Sequence, residues 1–267
     1  MKRKIYSYSM QGKREDNEDK HDHIININGD NININPINFF AVFDGHGGKN
    51  ISTFLKKNLS KYYLSKIDKS IYTKKNSEIF NKYTELLFDK LQNKLIKKHP
   101  RISQFCGSTA CIGVQFENKL WIINVGDSRV IKCNKCNIAE QLSLDHKPNN
   151  PIEKKRIEQL GGNINFDGFD WRVKGLSLSR AFGDLDCTPF VNHIPDIFNY
   201  EIISDDKFLV FGCDGLYDVL SNQDIVDFII ELYNKNITLR VNYAKELAQY
   251  AYNKGSTDNI TVIIYFI

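Results

Sequence analysis

Apolar, β-branched and aromatic runs in this chain stop against aspartate. Phe39–Phe43 (FFAVF) runs into Asp44-Gly45-His46-Gly47-Gly48, Phe208–Cys213 (FLVFGC) into Asp214-Gly215, and Asp258-Asn259 directly precedes ITVIIYFI at residues 260–267. WIINVG leads to Asp127, and AEQLSL to Asp145. Runs without polar alternation have to be covered on both faces, so these strands belong between two layers. If they lie side by side, acids from distant parts of the chain gather at one rim.

The remaining pattern fits such layers. Residues 49–66 place Ile51, Phe54, Leu55, Leu59 and Tyr62 on one helical face, and residues 76–98 repeat the rhythm through Ile79, Phe80, Tyr83, Leu87, Leu91 and Leu95. The period then switches to that of a meander over residues 108–133, with a turn at Asn118-Lys119. A short helix follows, with Asn150 as cap, Pro151 at its first position and Gly161 past its end. Ser221 opens another helix with Asp224 three residues on, and a further helix runs from about Leu239 to Asn253. Ile/Asn alternation over residues 23–38, broken at Gly29-Asp30-Asn31, reads as two strands joined by a turn. Strands in consecutive runs with grouped helices predict an α+β fold with antiparallel sheets.

Composition excludes more than it assigns. With 42% hydrophobic residues and a net charge of +4, the 267-residue chain can bury a large core, and its basic excess is too small to argue for nucleic acid. No apolar run approaches the ~20 residues of a membrane span. The opening MKRKIYSYSMQG lacks the apolar stretch of a secretory signal, and Lys2 excludes N-myristoylation. Six cysteines without a paired framework predict reduced thiols and a cytoplasmic or nuclear protein. Cys133 and Cys136 form one C-x-x-C with no second ligand pair, and read as a polar turn between strands.

Acids at strand ends allow two readings. Asp and Gly favour turns, so each site could be turn chemistry alone. Clustered carboxylates could instead hold hard divalent cations, Mg²⁺ or Mn²⁺, two such ions sitting roughly 3.5–4 Å apart in many hydrolytic phosphate enzymes. GKREDNEDKH at residues 12–21 adds Arg14, Glu15, Asp16, Glu18 and Asp19, which read most simply as a solvated charge run, although an Arg fork suits phosphate. His46, two residues past Asp44, is placed to protonate a departing oxygen.

Taken together, GKREDNEDKH, FAVFDGHGG, GSTA, NVGDSR, LDHKP, RIEQLGG, LSLSRAFGD, FGCDGLYDVL and GSTDNITVI resemble the metal-dependent protein phosphatases, the type 2C serine/threonine class (PPM family), in the family's order and over nearly the whole chain. The resemblance implies a single catalytic domain over residues 1–267, built as an αββα sandwich. It implies that Asp44 bridges two metal ions, that Gly45 offers its carbonyl, and that Asp214 and Asp258 complete one metal's shell. Glu18 would act through water with Asp19 behind it, and Asp145 would hold a third, weaker ion. Arg14 would grip phosphate and His46 would be the general acid. Arg180 would steer phosphopeptide or act structurally, and Asp127 would be structural. A metal-bridging hydroxide would attack phosphoserine or phosphothreonine directly. Phosphorylated proteins would be the partners of a monomer that engages neither nucleic acid nor membrane. Residues 161–182 correspond to the family's flap, and His193-Ile194 depart from the family's usual pattern. Two other functions compete: a catalytically silent phosphoprotein-binding member, and a two-metal nuclease.

Overall fold

The computed structural model describes residues 4–25, 37–65, 77–235 and 241–267. The central part of the Ile/Asn alternation lies outside the described residues. Its two flanks are strands.

Two five-stranded antiparallel sheets face each other. The first contains β1 (Lys4–Met10), β8 (Arg129–Cys133), β9 (Ala139–Gln141), β14 (Phe208–Gly212) and β15 (Ile260–Phe266), in the order β1-β15-β14-β8-β9. The second contains β2 (Lys20–Ile24), β3 (Ile37–Phe43), β6 (Ala110–Phe116), β7 (Lys119–Val125) and β13 (Asp196–Glu201), in the order β13-β7-β6-β3-β2. Short strands β4 (Gly45–His46), β5 (Gly107–Ser108) and β12 (Phe182–Gly183) form a small third sheet, and β10 (Asn165–Phe166) pairs with β11 (Trp171–Arg172) in a hairpin.

Period-two geometry explains why β3 is apolar at every second position and its neighbours too. Phe39, Ala41 and Phe43 point into the core beneath the helices α1 (Asn50–Ser65) and α2 (Glu78–Lys98). Phe40 and Val42 point the other way, into the space between the sheets, where they meet Phe211 and Tyr265. β15 splits likewise: Ile263 and Tyr265 face the inter-sheet core, while Ile260, Val262, Ile264 and Phe266 face α6 (Asn222–Asn234) and α7 (Tyr243–Asn253). The result is the expected αββα sandwich. Truncating Phe40, which is fully buried, to Ala costs about 3–5 kcal/mol by the usual core-aromatic scale.

Local signals in the sequence act as read. Asn150 caps α4 (Pro151–Gln159) by accepting from the Ile152 amide, and Gly161 follows it with φ +82°. Ser221 and Asp224 close a reciprocal capping box on α6. Ile79 departs from the predicted core face: it is exposed, and Thr84 and Gln92 are buried alongside Phe80, Leu87, Leu91 and Leu95. Cys133 precedes and Cys136 lies within a turn closed by Asn134 and Ile138, and neither is in a disulfide.

Register puts the acids at one end of the sandwich. Gly212 at the end of β14 lies opposite Val262 near the start of β15, and Met10 at the end of β1 lies opposite Ile260. Strands β3 and β7 finish at the same rim, each antiparallel to β6.

Candidate active site

A cleft of about 470 Å³ opens at this rim, and Arg14, Glu18, Asp44, Gly45, His46, Asp127, Asp214 and Asp258 all line it. Acids that are far apart in sequence therefore meet around one space. Asp19 lies beneath them, 2% exposed, with neither carboxylate oxygen hydrogen-bonded among the described residues. Ligand atoms of Asp19, Asp44 and Cys213 lie within 4.8 Å of one another.

Backbone around Asp44 is fixed by Thr109. The Asp44 amide donates to Thr109 Oγ1 at 3.0 Å, the Thr109 amide returns a bond to the Asp44 carbonyl at 2.8 Å, and Thr109 Oγ1 pairs with Ser128 Oγ at 2.8 Å. The GSTA and GDSR motifs thus serve the Asp44 loop. At Gly45, a Cβ would lie 2.6 Å from the Glu18 carbonyl oxygen, so only glycine lets these two segments approach.

Asn259 ties the N-terminal acids to the start of β15. Its Oδ1 accepts from the Glu18 amide at 2.9 Å, and its Nδ2 donates to the carbonyls of Gln11 and Asp16 at 2.8 and 2.9 Å. Ser52 Oγ donates to the Glu18 carbonyl. Arg14 Nη2 donates to Asp258 Oδ2 at 2.5 Å, with the Arg14 side chain 59% exposed at the rim.

Electrostatics in the cleft are unbalanced. Burial pushes Asp19 up to about 6 and Asp214 up to about 8, the latter reinforced by the charge of Asp127. Asp44 is raised well above the carboxylate range, by burial first and then by Asp19, Asp214 and Asp127. Asp218 is raised by burial, against the pull of Lys147. Lys147 Nζ sits 2.7 Å from Asp127 Oδ2 and, like Arg14 on Asp258, is a cation paired with a cleft acid. Unpartnered buried oxygens and mutually raised carboxylates are what an all-oxygen site for a hard divalent cation presents when protein alone is considered. The Cys213 sulfur is already engaged, receiving the Thr261 amide at 3.1 Å and donating to the Asn259 carbonyl at 3.3 Å.

His46 Nε2 lies 2.7 Å from Oδ2 of Asp184, which is almost fully buried. Burial works to lower the imidazole, but the Asp184 bond and charge outweigh it, so the net shift is upward. The pair packs over Gly107, where a Cβ would fall 2.0 Å from Asp184 Oδ2 and 2.4 Å from His46 Nε2. Sequence reasoning missed Asp184, although it is the final residue of LSLSRAFGD; it missed Thr109 and Asn259 as well, although GSTA and GSTDNITVI contain them.

Two sequence expectations move. Asp145 does not line the cleft: its carboxylate is gripped by Arg129, with Nη2 to Oδ2 at 2.5 Å and Nε to Oδ1 at 3.1 Å. Arg129 also stacks 4.5 Å above the Tyr217 ring and donates to Asn222. Asp127, expected to be structural, is buried against Lys147 and also lines the cleft. Arg180 is 8% exposed, held by Glu153 at 2.6 Å and Asp196 at 2.8 Å, and does not line the cleft, which favours the structural of its two expected roles.

Comparison with known proteins agrees with this geometry. The sequence model of the protein phosphatase 2C family matches residues 4–260, and the chain belongs to that family. It is 42% identical over 166 residues to a PP2C-like domain-containing protein of Acanthamoeba polyphaga mimivirus, covering 54% of this chain and 92% of that one. It is 37% identical over 257 residues to probable protein phosphatase 2C 7 of Oryza sativa subsp. japonica, covering 96% of this chain and 63% of the relative's length. It spans 49% of the length of a second rice relative, probable protein phosphatase 2C 52. Among solved structures, the serine-threonine phosphatase 2C from Toxoplasma gondii superposes with a TM-score of 0.81 at 21% identity, over 98% of this chain and 94% of that one, which shows the same fold. A C. elegans sex determining protein superposes at 0.84 with 26% identity, over 98% of this chain and 64% of that one.

Proposed function

We propose that this chain is a Mg²⁺- or Mn²⁺-dependent protein serine/threonine phosphatase that hydrolyses phosphoserine and phosphothreonine by direct attack of water. The observation that carries the reading is the meeting of Asp44, Asp214 and Asp258 in one cleft with Arg14 and the His46–Asp184 pair. Family membership supports it.

Asp44, Asp214 and Asp258, the Gly45 carbonyl and, through water, Glu18 would hold two cations, with Asp19 behind them. A third, weaker ion fits the Asp127–Asp214–Asp218 side of the cleft, where these carboxylates act on one another, better than it fits Asp145. When bound, such ions make water more acidic and neutralise charge on the phosphate. Arg14 stands at the rim with guanidinium N–H groups to spare beyond its bond to Asp258, and orients a phosphate oxygen. His46 keeps its Nε2 proton against Asp184, which leaves Nδ1 to give a proton to the departing serine or threonine oxygen. The Asp184 bond and charge raise its affinity for protons, the direction a general-acid imidazole needs.

Among the described residues no helix is long and apolar enough to cross a membrane. Six free cysteines support a cytoplasmic or nuclear setting, in which the chain acts on phosphoproteins as a monomer. The test is a Mn²⁺ titration of phosphothreonine-peptide hydrolysis from an EDTA-treated start, with Asp44→Asn as control. Activity that rises with Mn²⁺ in the wild type and stays absent in the variant supports the reading. Full activity in EDTA overturns it.

A further inference from the structure

A second pocket, about 590 Å³, lies beside the cleft and has the opposite charge: Lys20, Lys49, Lys57, Lys98 and His99 line it, and no carboxylate does. The two share a wall. Glu18 and Gly47 line the cleft, while Asn17, Lys20 and Lys49 line the pocket.

Its cations are poorly matched from within. Lys49 reaches only Asp16, at 3.9 Å, with both side chains largely exposed. Lys20 Nζ donates to the backbone carbonyls of Asn17 and Asp19 at 3.2 and 2.6 Å and makes no ion pair with a carboxylate among the described residues, although the charges of Asp19 and Glu18 act on it. Lys57 and Lys98 have no ion-pair partner among the described residues. The sixteen-residue α1 begins here at Asn50 with no acidic residue in its first turn, so its positive end adds to the field. Phe54, edge-on to His99 at 6.3 Å, forms an apolar floor. A concave basic surface of this kind concentrates anions.

We propose that this pocket takes an anionic side chain, a carboxylate or a second phosphate group, carried by the same phosphoprotein whose phosphorylated residue occupies the cleft. The proposal rests on the phosphatase reading. The basic pocket gives anionic substrate flanks a place one short segment from the cleft. The phosphatase therefore favours phosphosites with acidic or phosphorylated neighbours. Partly exposed charge pairs contribute modestly, so the preference is about three- to tenfold in kcat/KM and shrinks with added salt.

The experiment compares phosphothreonine peptides with Asp placed at each flanking position in turn, the same peptides with a second phosphoserine there, and a neutral-flanked peptide. Each is hydrolysed by the wild type and by Lys57→Gln/Lys98→Gln. Preference at one or more positions in the wild type, reduced to about parity in the variant, is expected; the Asp and phosphoserine arms separate the two anions. No preference, or one the variant retains, overturns the proposal. Hydrolysis of no peptide in Mn²⁺ counts against the phosphatase reading instead. In that case the pocket is decided by fluorescence anisotropy of labelled acidic and neutral peptides: tighter acidic binding that the variant weakens supports it, and equal binding overturns it. Tighter binding of a single-stranded oligonucleotide than of the acidic peptide also overturns it.

Discussion

Two groups of wholly or partly buried carboxylates in this protein have surroundings that drive their protonation in opposite directions. Around Glu153, Arg180 and Arg156 converge, with Ser179 Oγ donating at 2.7 Å, and Glu153 is held down to about 2 although burial alone would raise it. Asp196, shared between His146 and Arg180, is likewise held down to about 2 against burial. In the cleft, Asp19 is buried and Asp44 and Asp214 are half-buried, mostly among other acids, and all are raised. The first group is complete with protein atoms alone. The second has fewer protein cations than carboxylates, and the proposed metal ions would supply the missing positive charge.

The sharpest break in the comparison is catalytic. Asp44→Asn should lower phosphopeptide turnover by at least ~10²–10³-fold, measured with saturating Mn²⁺, because a ligand to the proposed ions is lost. Glu153→Gln touches no cleft residue and should keep turnover in whatever fraction remains folded.

Stability should order the two sites the other way. Glu153→Gln leaves Arg180 and Arg156 short of a buried counter-charge and should cost about 3 kcal/mol in urea unfolding. Asp214→Asn in EDTA removes repulsion and should stabilise the fold by on the order of 1–2 kcal/mol. The same carboxylate-to-amide change thus has opposite signs in the two groups.

pH should separate them as well. Glu153 moves from 4.5 to about 2 on folding, so its contribution is complete above about pH 5 and fades as pH falls through its folded value. Asp214 moves from 3.8 to about 8, so the folded chain keeps a proton that the unfolded chain has released. Stability of the cation-free protein should therefore decline from about pH 5 to about pH 8, and Asp214→Asn should flatten that decline in thermal melts. The smallest effect is at Asn259. Asn259→Ala removes the clamp on Glu18 and should weaken Mn²⁺ affinity by about tenfold, read by calorimetric titration.

How much of this was legible in the sequence depended on the range of the interaction. Continuous apolar runs marked which strands had to be covered on both faces, and the Asn150 and Ser221 caps gave helix starts, since these are local signals. Acids at strand ends announced a common rim. Which cation faces which acid is a matter of register, and register is set between distant strands. Asp145 looked equivalent to Asp214, but Arg129 begins the strand opposite Gly212 and takes the Asp145 carboxylate. Arg180 reads equally as steering phosphopeptide or as structural, and its enclosure by Glu153 and Asp196 is visible only in the fold. Asp184 was hidden for the same reason: 138 positions separate it from His46.

The most direct measurement is the melting temperature of the wild type, Asp44→Asn and Glu153→Gln, each in EDTA and in Mn²⁺. Cations at a hundred times their Kd stabilise a fold by about 2.7 kcal/mol. The account predicts an upward Mn²⁺ shift in the wild type and in Glu153→Gln, lost in Asp44→Asn, which melts above the wild type in EDTA. An equal Mn²⁺ shift in Asp44→Asn, or none in the wild type, would contradict it.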